Sequence, residues 1–389
     1  MHAPRPDHRA TAFVPPSVGR ALAVLALLAA ALPAASADTV QLEDGRQLRG
    51  KIVLEEIGGP IRIVDADGAA HTVARSRIRA IVRDEPEGGY IRLARYSEHW
   101  ARLEVASVTL VQPSTGKQVT LAGAVHIADP AYYRSLQRRL DEHDLVLFEG
   151  VGADSSEDLR TIRLPDAAQR ARELRRRPPG FPPPPSDPGP LDPLTTLQTL
   201  MGRALDLTFQ KDALTYERSW WKPADVSVEE LKALLAESGV GPLELLRTRA
   251  DREAEQQFER TMARALQDLA ASLVTGKPLQ AILKESFGEL LVLQMTGADA
   301  HGAGAVQKLG PLQLALIVGR NDRVEQKLDE ALALEDARRI AIFYGAGHMP
   351  DLEARLARKG FRRASVEWLP AWEIRWEPRS IWERIGGGR

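Results

Sequence analysis

Apolar residues recur along this chain with two different periods, and the change of period divides it into units. Between residues 38 and 84 they alternate with polar ones. "DTVQLEDGRQLRGKIV" does so around a Glu-Asp-Gly turn, and "PIRIVDADGAAHTVARSRIRAIV" around Asp67-Gly68. Alternation marks strands buried on one face, and an Asp-Gly step marks a tight hairpin, so this stretch predicts roughly five short strands. From about Tyr96 the pattern lengthens. "RLEVASVTLVQPSTGKQVTLAGAV" predicts two strands joined by a Pro-Ser-Thr-Gly turn. "PAYYRSLQRRLDEH" has helical spacing with Pro130 at a first-turn position, and "DLVLFEG" is an apolar run fit for a buried strand. Strand, helix and strand at these lengths make a βαβ unit.

Residues 152–310 predict a large helical insertion. "VEELKALLAES", "LELLRTRADREAEQQFERTMARALQDLAASLV" and "LQAILKESFGELLVLQ" place apolar residues at i, i+3 and i+4. A Pro-rich loop at 175–193 interrupts them, because proline lacks the amide donor that helix and sheet require. It reads as an extended spacer, with a ligand for a Pro-binding module as the alternative. After Gly310 the α/β pattern returns. "PLQLALIVGRN" fits either a strand or a buried helix, and periodicity does not separate the two. "DRVEQKLDEALALEDA" predicts a helix, "RIAIFYGAGH" a strand meeting a turn, and "PDLEARLARKG" a helix ending at Gly360. "SVEWLPAWEIRW" predicts a strand whose tryptophans 368, 372 and 376 pack in the core or at a sheet edge. Residues 377–389 form a C-terminal tail. The expected class is α/β: a mixed sheet over 97–376 with a strand-end active-site cleft and a large helical insertion. The 38–84 unit adds a small all-β, barrel-like piece that resembles SH3-like or Sm-like folds.

Composition narrows the function. Lys and Arg total 52 against 53 Asp and Glu, so the net charge of −1 gives no electrostatic reason to expect nucleic acid as a partner. The first 37 residues have the three-part layout of a secretory signal peptide: a weakly basic start, the apolar run "ALAVLALLAAALPAA", and Ala35-Ser36-Ala37 as a cleavage site. The alternative is a membrane anchor, but the run is shorter than a spanning helix needs and Pro33 interrupts it. Cleavage after Ala37 and a periplasmic or extracellular location are therefore expected. There is no cysteine. That excludes disulfides and a lipid on the mature N-terminus, and it restricts any metal site to His, Asp, Glu and water.

The candidate chemistry comes from two matching stretches. "VTLAGAVHIADPAYYRSLQRRL" and "IAIFYGAGHMPDLEARLARKG" share one plan: apolar strand, Gly-x-x-His, proline near a helix start, amphipathic helix. His126 and His348 occupy the same place in each, and Gly123 and Gly345 are expected to let the backbone turn sharply. The spacing alone is a weak signal. A third copy, Gly68-Ala69-Ala70-His71, belongs to a hairpin turn and reads as a decoy. Context strengthens the other two. Strands of a βαβ unit run parallel, so their carboxyl ends lie on one sheet edge, where ligand sites of open α/β sheets form. His126 and His348 follow two such ends, and Glu149 in "LVLFEG" follows another. Two imidazoles and a carboxylate form a plausible divalent-metal set with a position left for water. Each also has an ordinary alternative, a loop carbonyl for either His or an arginine for Glu149. Arg320 follows the apolar run and precedes Asn321-Asp322, so it either brings a guanidinium to the cluster or is a surface residue beside Asp322.

At these residues the chain resembles the TraB/Tiki superfamily, the TraB-PrgY, Tiki and GumN-like proteins. The likeness lies in "LAGAVHIADPAYY", "LVLFEGV", "LIVGRNDRVEQKL" and "FYGAGHMPDLEARLARKGF", in the family's order, over residues 97 to 376. "LDLTFQKDALTYERSWWKPADVSVEEL" also looks like a segment of bacterial members; it contains Gln210, Tyr216 and Asp225, to which no role is assigned. The resemblance implies the erythromycin esterase/ChaN-like fold, and metal-dependent protease activity as in animal Tiki members, with Mn2+ or Co2+ (Zn2+ being possible). Carried over, His126 and His348 would be metal ligands, Glu149 a ligand or general base, and Arg320 a contact to substrate or transition state.

The function expected is thus that of an exported metal-dependent hydrolase, a peptidase acting on a peptide or protein substrate with metal-activated water. The alternative is a non-catalytic cell-envelope protein that binds or sequesters a peptide, haem or metal, and an esterase on a small molecule is a third. The 38–84 unit could also dock a cell-envelope partner.

Overall fold

The computed structural model describes residues 37–83, 89–176, 205–237, 277–296 and 314–377. The signal peptide, most of the Pro-rich loop and the C-terminal tail lie outside the described residues. The alternating stretch forms β1 (Asp38–Leu42), β2 (Gln47–Glu56), β3 (Ile61–Val64), β4 (Ala70–Val73) and β5 (Ile78–Val82). Gly45 and Gly68, at the two predicted hairpins, have φ of +86° and +91°, a backbone that an L side chain rarely adopts. Alternation turns Val40, Leu42, Ile52, Ile61, Ile63 and Val73 onto one face, where they form a small core of their own. The strands pair antiparallel in the order β5-β1-β2-β3-β4. No β4–β5 ladder joins the ends among the described residues, so the run is open. It is also not detached. The far end of β2 pairs with β14 (Arg362–Arg375) through Glu56 and Ser365, which fuses the unit to the main sheet.

That sheet contains β6 (Ile91–Ser97), β7 (Trp100–Val111), β8 (Gln118–Ala124), β10 (Leu145–Phe148), β12 (Trp221–Pro223), β13 (Arg339–Gly345) and β14, with a separate two-residue ladder of β9 (Ile127–Ala128) and β11 (Thr208–Phe209). β6 pairs with β7 and begins before residue 97, so the α/β unit starts earlier than expected. The helices are α1 (Pro130–Asp141), α2 (Ala167–Arg176), α3 (Gln210–Ala213), α4 (Val228–Glu237), α5 (Leu279–Thr296), α6 (Arg320–Leu332) and α7 (Met349–Arg358). The ambiguous apolar run before Arg320 is helical: a wide π-type turn, Leu314–Gly319, leads directly into α6.

Strand order across the sheet is β12-β10-β13-β8-β7-β14. The first four are parallel neighbours, β7 runs antiparallel to β8, and β14 runs antiparallel to β7. β13 lies between β8 and β10, so the crossover through α1 spans one strand. Burial on both faces explains why "LVLF" and "IAIFYG" are continuous apolar runs rather than alternating ones. The insertion is not purely helical. β12 adds a fourth parallel strand beyond β10, and β11 clasps the segment after His126. Strands of three and two residues are too short to leave a period in the sequence. The tryptophans of β14 pack as expected: Trp372 is fully buried and donates its indole N–H to the Ile127 carbonyl at 2.7 Å, while the Arg92 guanidinium lies 4.1 Å from the Trp368 ring.

Gly123 does not make a turn. It lies inside β8 with ordinary strand backbone, and the reason for glycine is close approach. A Cβ there would stand 2.9 Å from Val105 Cγ1 and 3.2 Å from the Ala106 carbonyl oxygen on β7. Backbone atoms of a paired strand cannot give way as a side-chain tip can, so Gly123→Ala is expected to cost about 1–3 kcal/mol. Gly347→Ala, whose Cβ would meet nothing within 4 Å, should stay within about 0.5 kcal/mol of the parent. Urea unfolding midpoints of the two variants check this.

Candidate active site at the carboxyl edge of the parallel strands

Four parallel strands end on one edge, and each delivers a polar side chain just beyond its last residue. Ala124 of β8 lies opposite Gly345 of β13, and Phe343 of β13 lies opposite Phe148 of β10. Glu149 continues that register, donating its backbone N–H to the Phe343 carbonyl at 2.9 Å. His126, His348 and Glu149 therefore follow adjacent strand ends. Asp225 follows the fourth, β12. The structure brings the predicted residues to one edge and adds one that the sequence reading left without a role.

Arg320 links them. It is the first residue of α6, and only 9% of its surface is exposed, so it is no surface residue paired with Asp322. Its Nε donates to Asp225 Oδ1 at 3.0 Å and its Nη2 to Asp225 Oδ2 at 2.6 Å. Nη2 also donates to Glu149 Oε1 at 2.6 Å, and Nη1 faces His348 Nε2 at 3.4 Å. Asp225 is wholly buried and accepts two further backbone N–H bonds, from Gly150 at 3.0 Å and Val226 at 2.8 Å. One carboxylate thus holds both the guanidinium and the loop that begins at Glu149. The other oxygen of Glu149 accepts the Gly345 N–H at 2.7 Å. Gly345 has φ −51°, which any residue adopts, so the change from β13 to the helical turn at Ala346 does not call for glycine, and its part here is that of a backbone donor.

The tautomer of His348 follows from its partners. Asn321 Nδ2 donates to the His348 carbonyl at 3.2 Å and to Asp351 Oδ2 at 2.9 Å, both of which only accept. That orients the amide with Oδ1 toward His348 Nδ1 at 2.8 Å, so Nδ1 carries the proton and Nε2 the lone pair. Burial pushes the imidazole down to about 4, although Glu149 nearby works in the opposite direction. Burial raises Glu149, but the positive charges at His348, Arg320 and His126 outweigh it and hold the carboxyl at about 2.

His126 itself is exposed, and its ring hydrogen-bonds to none of the described residues. Its position is nevertheless set by its backbone. Its carbonyl accepts the Gln210 N–H at 2.8 Å, and the next residue, Ile127, is held by β11 and Trp372. Gln210 Nε2 donates to the Tyr216 hydroxyl at 3.0 Å, while its buried Oε1 has no partner among the described residues. The Tyr216 ring packs on Phe148 and Trp221, and burial raises its hydroxyl to about 12. His71, the decoy, pairs with Asp65 in the β1–β5 unit at 2.8 Å.

The metal set is not assembled in this arrangement. Among the described residues no three of His, Cys, Asp and Glu are placed to hold one ion. The reason is geometric: the guanidinium stands between Glu149 and His348. The donor types suit a borderline divalent ion, but their placement does not. Asp225, named without a role, and Asn321, taken only as a helix-start residue, are the site residues whose part sequence reading missed. Asp225 is invisible without β12, and Asn321 reads as a helix-start residue. Comparison with protein-family models, curated proteins and solved structures finds no match to the chain.

These environments give a pH signature. Unfolded, His348 titrates near its ordinary value of 6.5, so between there and about 4 the unfolded chain binds the additional proton and stability falls as pH drops. Glu149 extends the same trend from 4.5 down to about 2. Each window is worth about 3 kcal/mol. His348→Gln should flatten the dependence of unfolding free energy between pH 6.5 and 4, and Glu149→Gln the dependence below 4.5. Urea titrations at a series of pH values measure both, and unchanged slopes would contradict these environments.

Proposed function

We propose that the chain is an exported hydrolase of the TraB/Tiki type that adds water to a carbonyl carbon at the carboxyl edge of the parallel strands. A peptide bond is the substrate that the family resemblance favours. The observation that carries the reading is the His348 Nε2 lone pair, fixed by Asn321, next to a guanidinium that Asp225 holds in place. A base and an electrophile side by side on rigid elements at one sheet edge are what acyl transfer to water requires.

As the substrate carbonyl takes over the Arg320 Nη1–H, which Nε2 holds only at 3.4 Å, the attacking water approaches that lone pair and loses its proton to it as the water oxygen bonds to the carbonyl carbon. The imidazolium formed keeps its Nδ1–H on Asn321 and gains the nearby negative charge of Glu149. The carbonyl oxygen becomes an oxyanion, which Arg320 stabilises with charge-assisted N–H bonds. When the tetrahedral intermediate collapses, the carbon–nitrogen bond breaks and the proton on Nε2 passes to the leaving amine. Both Glu149 oxygens already accept charge-stabilising N–H bonds, Oε1 from Arg320 and Oε2 from Gly345. The role of Glu149 is therefore that of charge partner to Arg320 and His348, not of proton acceptor. His126, exposed on the neighbouring strand end, is placed to donate to the substrate at the mouth. Val151 and Val228 are exposed apolar side chains beside the Glu149 loop, and a Cβ on Gly152 would lie 3.0 Å from Val228 Cγ2. They offer a surface for an apolar substrate side chain.

The purified chain incubated with a peptide library should yield cleavage products. His348→Ala and Arg320→Ala should each lower kcat/KM by about 10²–10⁴. Equal turnover in the parent and both variants would end the hydrolase reading. Tight stoichiometric peptide binding without products would make the protein a sequestering one instead.

A further inference from the structure

We propose that Arg320 is the resident cation of this site and that no divalent ion binds at His348 and Glu149 while the Arg320–Asp225 pair is intact. The role given to that cation rests on the hydrolase reading, whereas its identity rests on geometry alone. An Nη1–H of Arg320 points at His348 Nε2 from 3.4 Å. An ion bonded to Nε2 at about 2.1 Å would sit against the guanidinium and, unlike a neutral water, would meet its positive charge at that range. Glu149 is engaged on both sides as well, with Oε1 accepting from Arg320 and Oε2 from the Gly345 N–H. The remaining donor, His126, is exposed and cannot hold an ion by itself.

A flexible arginine could withdraw and leave room for metal. This one is tethered. Asp225 takes both Nε and Nη2 in a forked pair and is itself fixed by the N–H groups of Gly150 and Val226. Withdrawal would strand a fully buried carboxylate without its counter-charge. The guanidinium cannot relieve the crowding by losing a proton, as a lysine could. It also supplies, through N–H donors aimed at a developing oxyanion, the polarisation for which a Lewis-acid metal is otherwise used.

Equilibrium dialysis of the full chain against Mn2+, Co2+ and Zn2+, followed by elemental analysis, tests this. The parent and His348→Ala should retain the same amount of metal. Arg320→Met should gain up to one ion per chain, and the gain should disappear in Arg320→Met/His348→Ala. Because Arg320→Met leaves Asp225 buried and unpaired, Arg320→Met/Asp225→Asn, which removes both charges, serves as a second opened site. One ion per chain in the parent, lost in His348→Ala or Glu149→Gln, would overturn the proposal. Absence of peptide turnover would remove the hydrolase reading and leave the dialysis result standing. Turnover in the parent should survive chelators.

Discussion

A buried carboxylate facing a buried guanidinium is the constraint on which the rest of this site depends. Removing two such charges from water is costly, and the cost is offset only if nearly every lone pair and N–H has a partner. Asp225 meets that condition with four N–H bonds, two from Arg320 and two from backbone. The pairing ties together elements far apart in sequence: the end of β12, the loop after β10 and the first turn of α6. Glu149 then has no freedom to choose another partner. Its charge is fixed by a cation that cannot move away, and its carboxylate is pinned to the Gly345 amide.

The π-type turn before α6 belongs to the same arrangement. It delivers Arg320 and Asn321 as consecutive residues to opposite duties, one toward Asp225 and Glu149 and one toward His348. Wide turns of this kind re-aim side chains at functional positions. The packing around it is close: a Cβ on Gly319 would stand 2.8 Å from Leu234 Cδ2 of α4. Asn321 hands its constraint on to Asp351, which is paired in turn with Arg355 at 2.7 Å. The imidazole is therefore held through a chain of side chains in which each donor has a defined acceptor.

Much of this was legible in the sequence wherever a periodic element spoke for itself. The long strands β7, β8, β13 and β14 and the helices α1, α6 and α7 left clear periods, and the parallel-edge argument brought His126, Glu149 and His348 to one edge. What stayed hidden has a common cause. β12 and β11 are three and two residues long, so nothing periodic announced them, and Asp225 could not be read as a strand-end residue without its strand. Gly123 was misread for a different reason. A glycine needed for close approach of two strands looks, in one dimension, like a glycine needed for a turn. The convergence of two histidines and a glutamate was visible, and a guanidinium from Arg320 was one of two readings of that residue; its place between Glu149 and His348 was not legible, because the reach of Arg320 depends on the helix geometry that precedes it.

The long β14 connects the small β unit to the site. Its first residues pair with β2, and its later ones support the segment after His126: the Ala371 carbonyl accepts the Asp129 N–H at 2.8 Å, the Glu373 N–H donates to Asp129 Oδ2 at 2.5 Å, and Trp372 reaches Ile127. An unpaired edge at Ser365–Glu367 would leave that strand open to pairing with other chains. Covering it with β2 leaves β14 framed on both sides, by β7 along its length and by the N-terminal unit at one end. The strand that positions the exposed histidine is thus not an edge strand at its far end. Placing an exposed imidazole accurately takes a rigid backbone beneath it, because its own ring has no hydrogen-bond partner among the described residues. In this fold that rigidity comes from β9, β11 and β14 together, which is why the backbone at His126 is fixed although its ring is exposed.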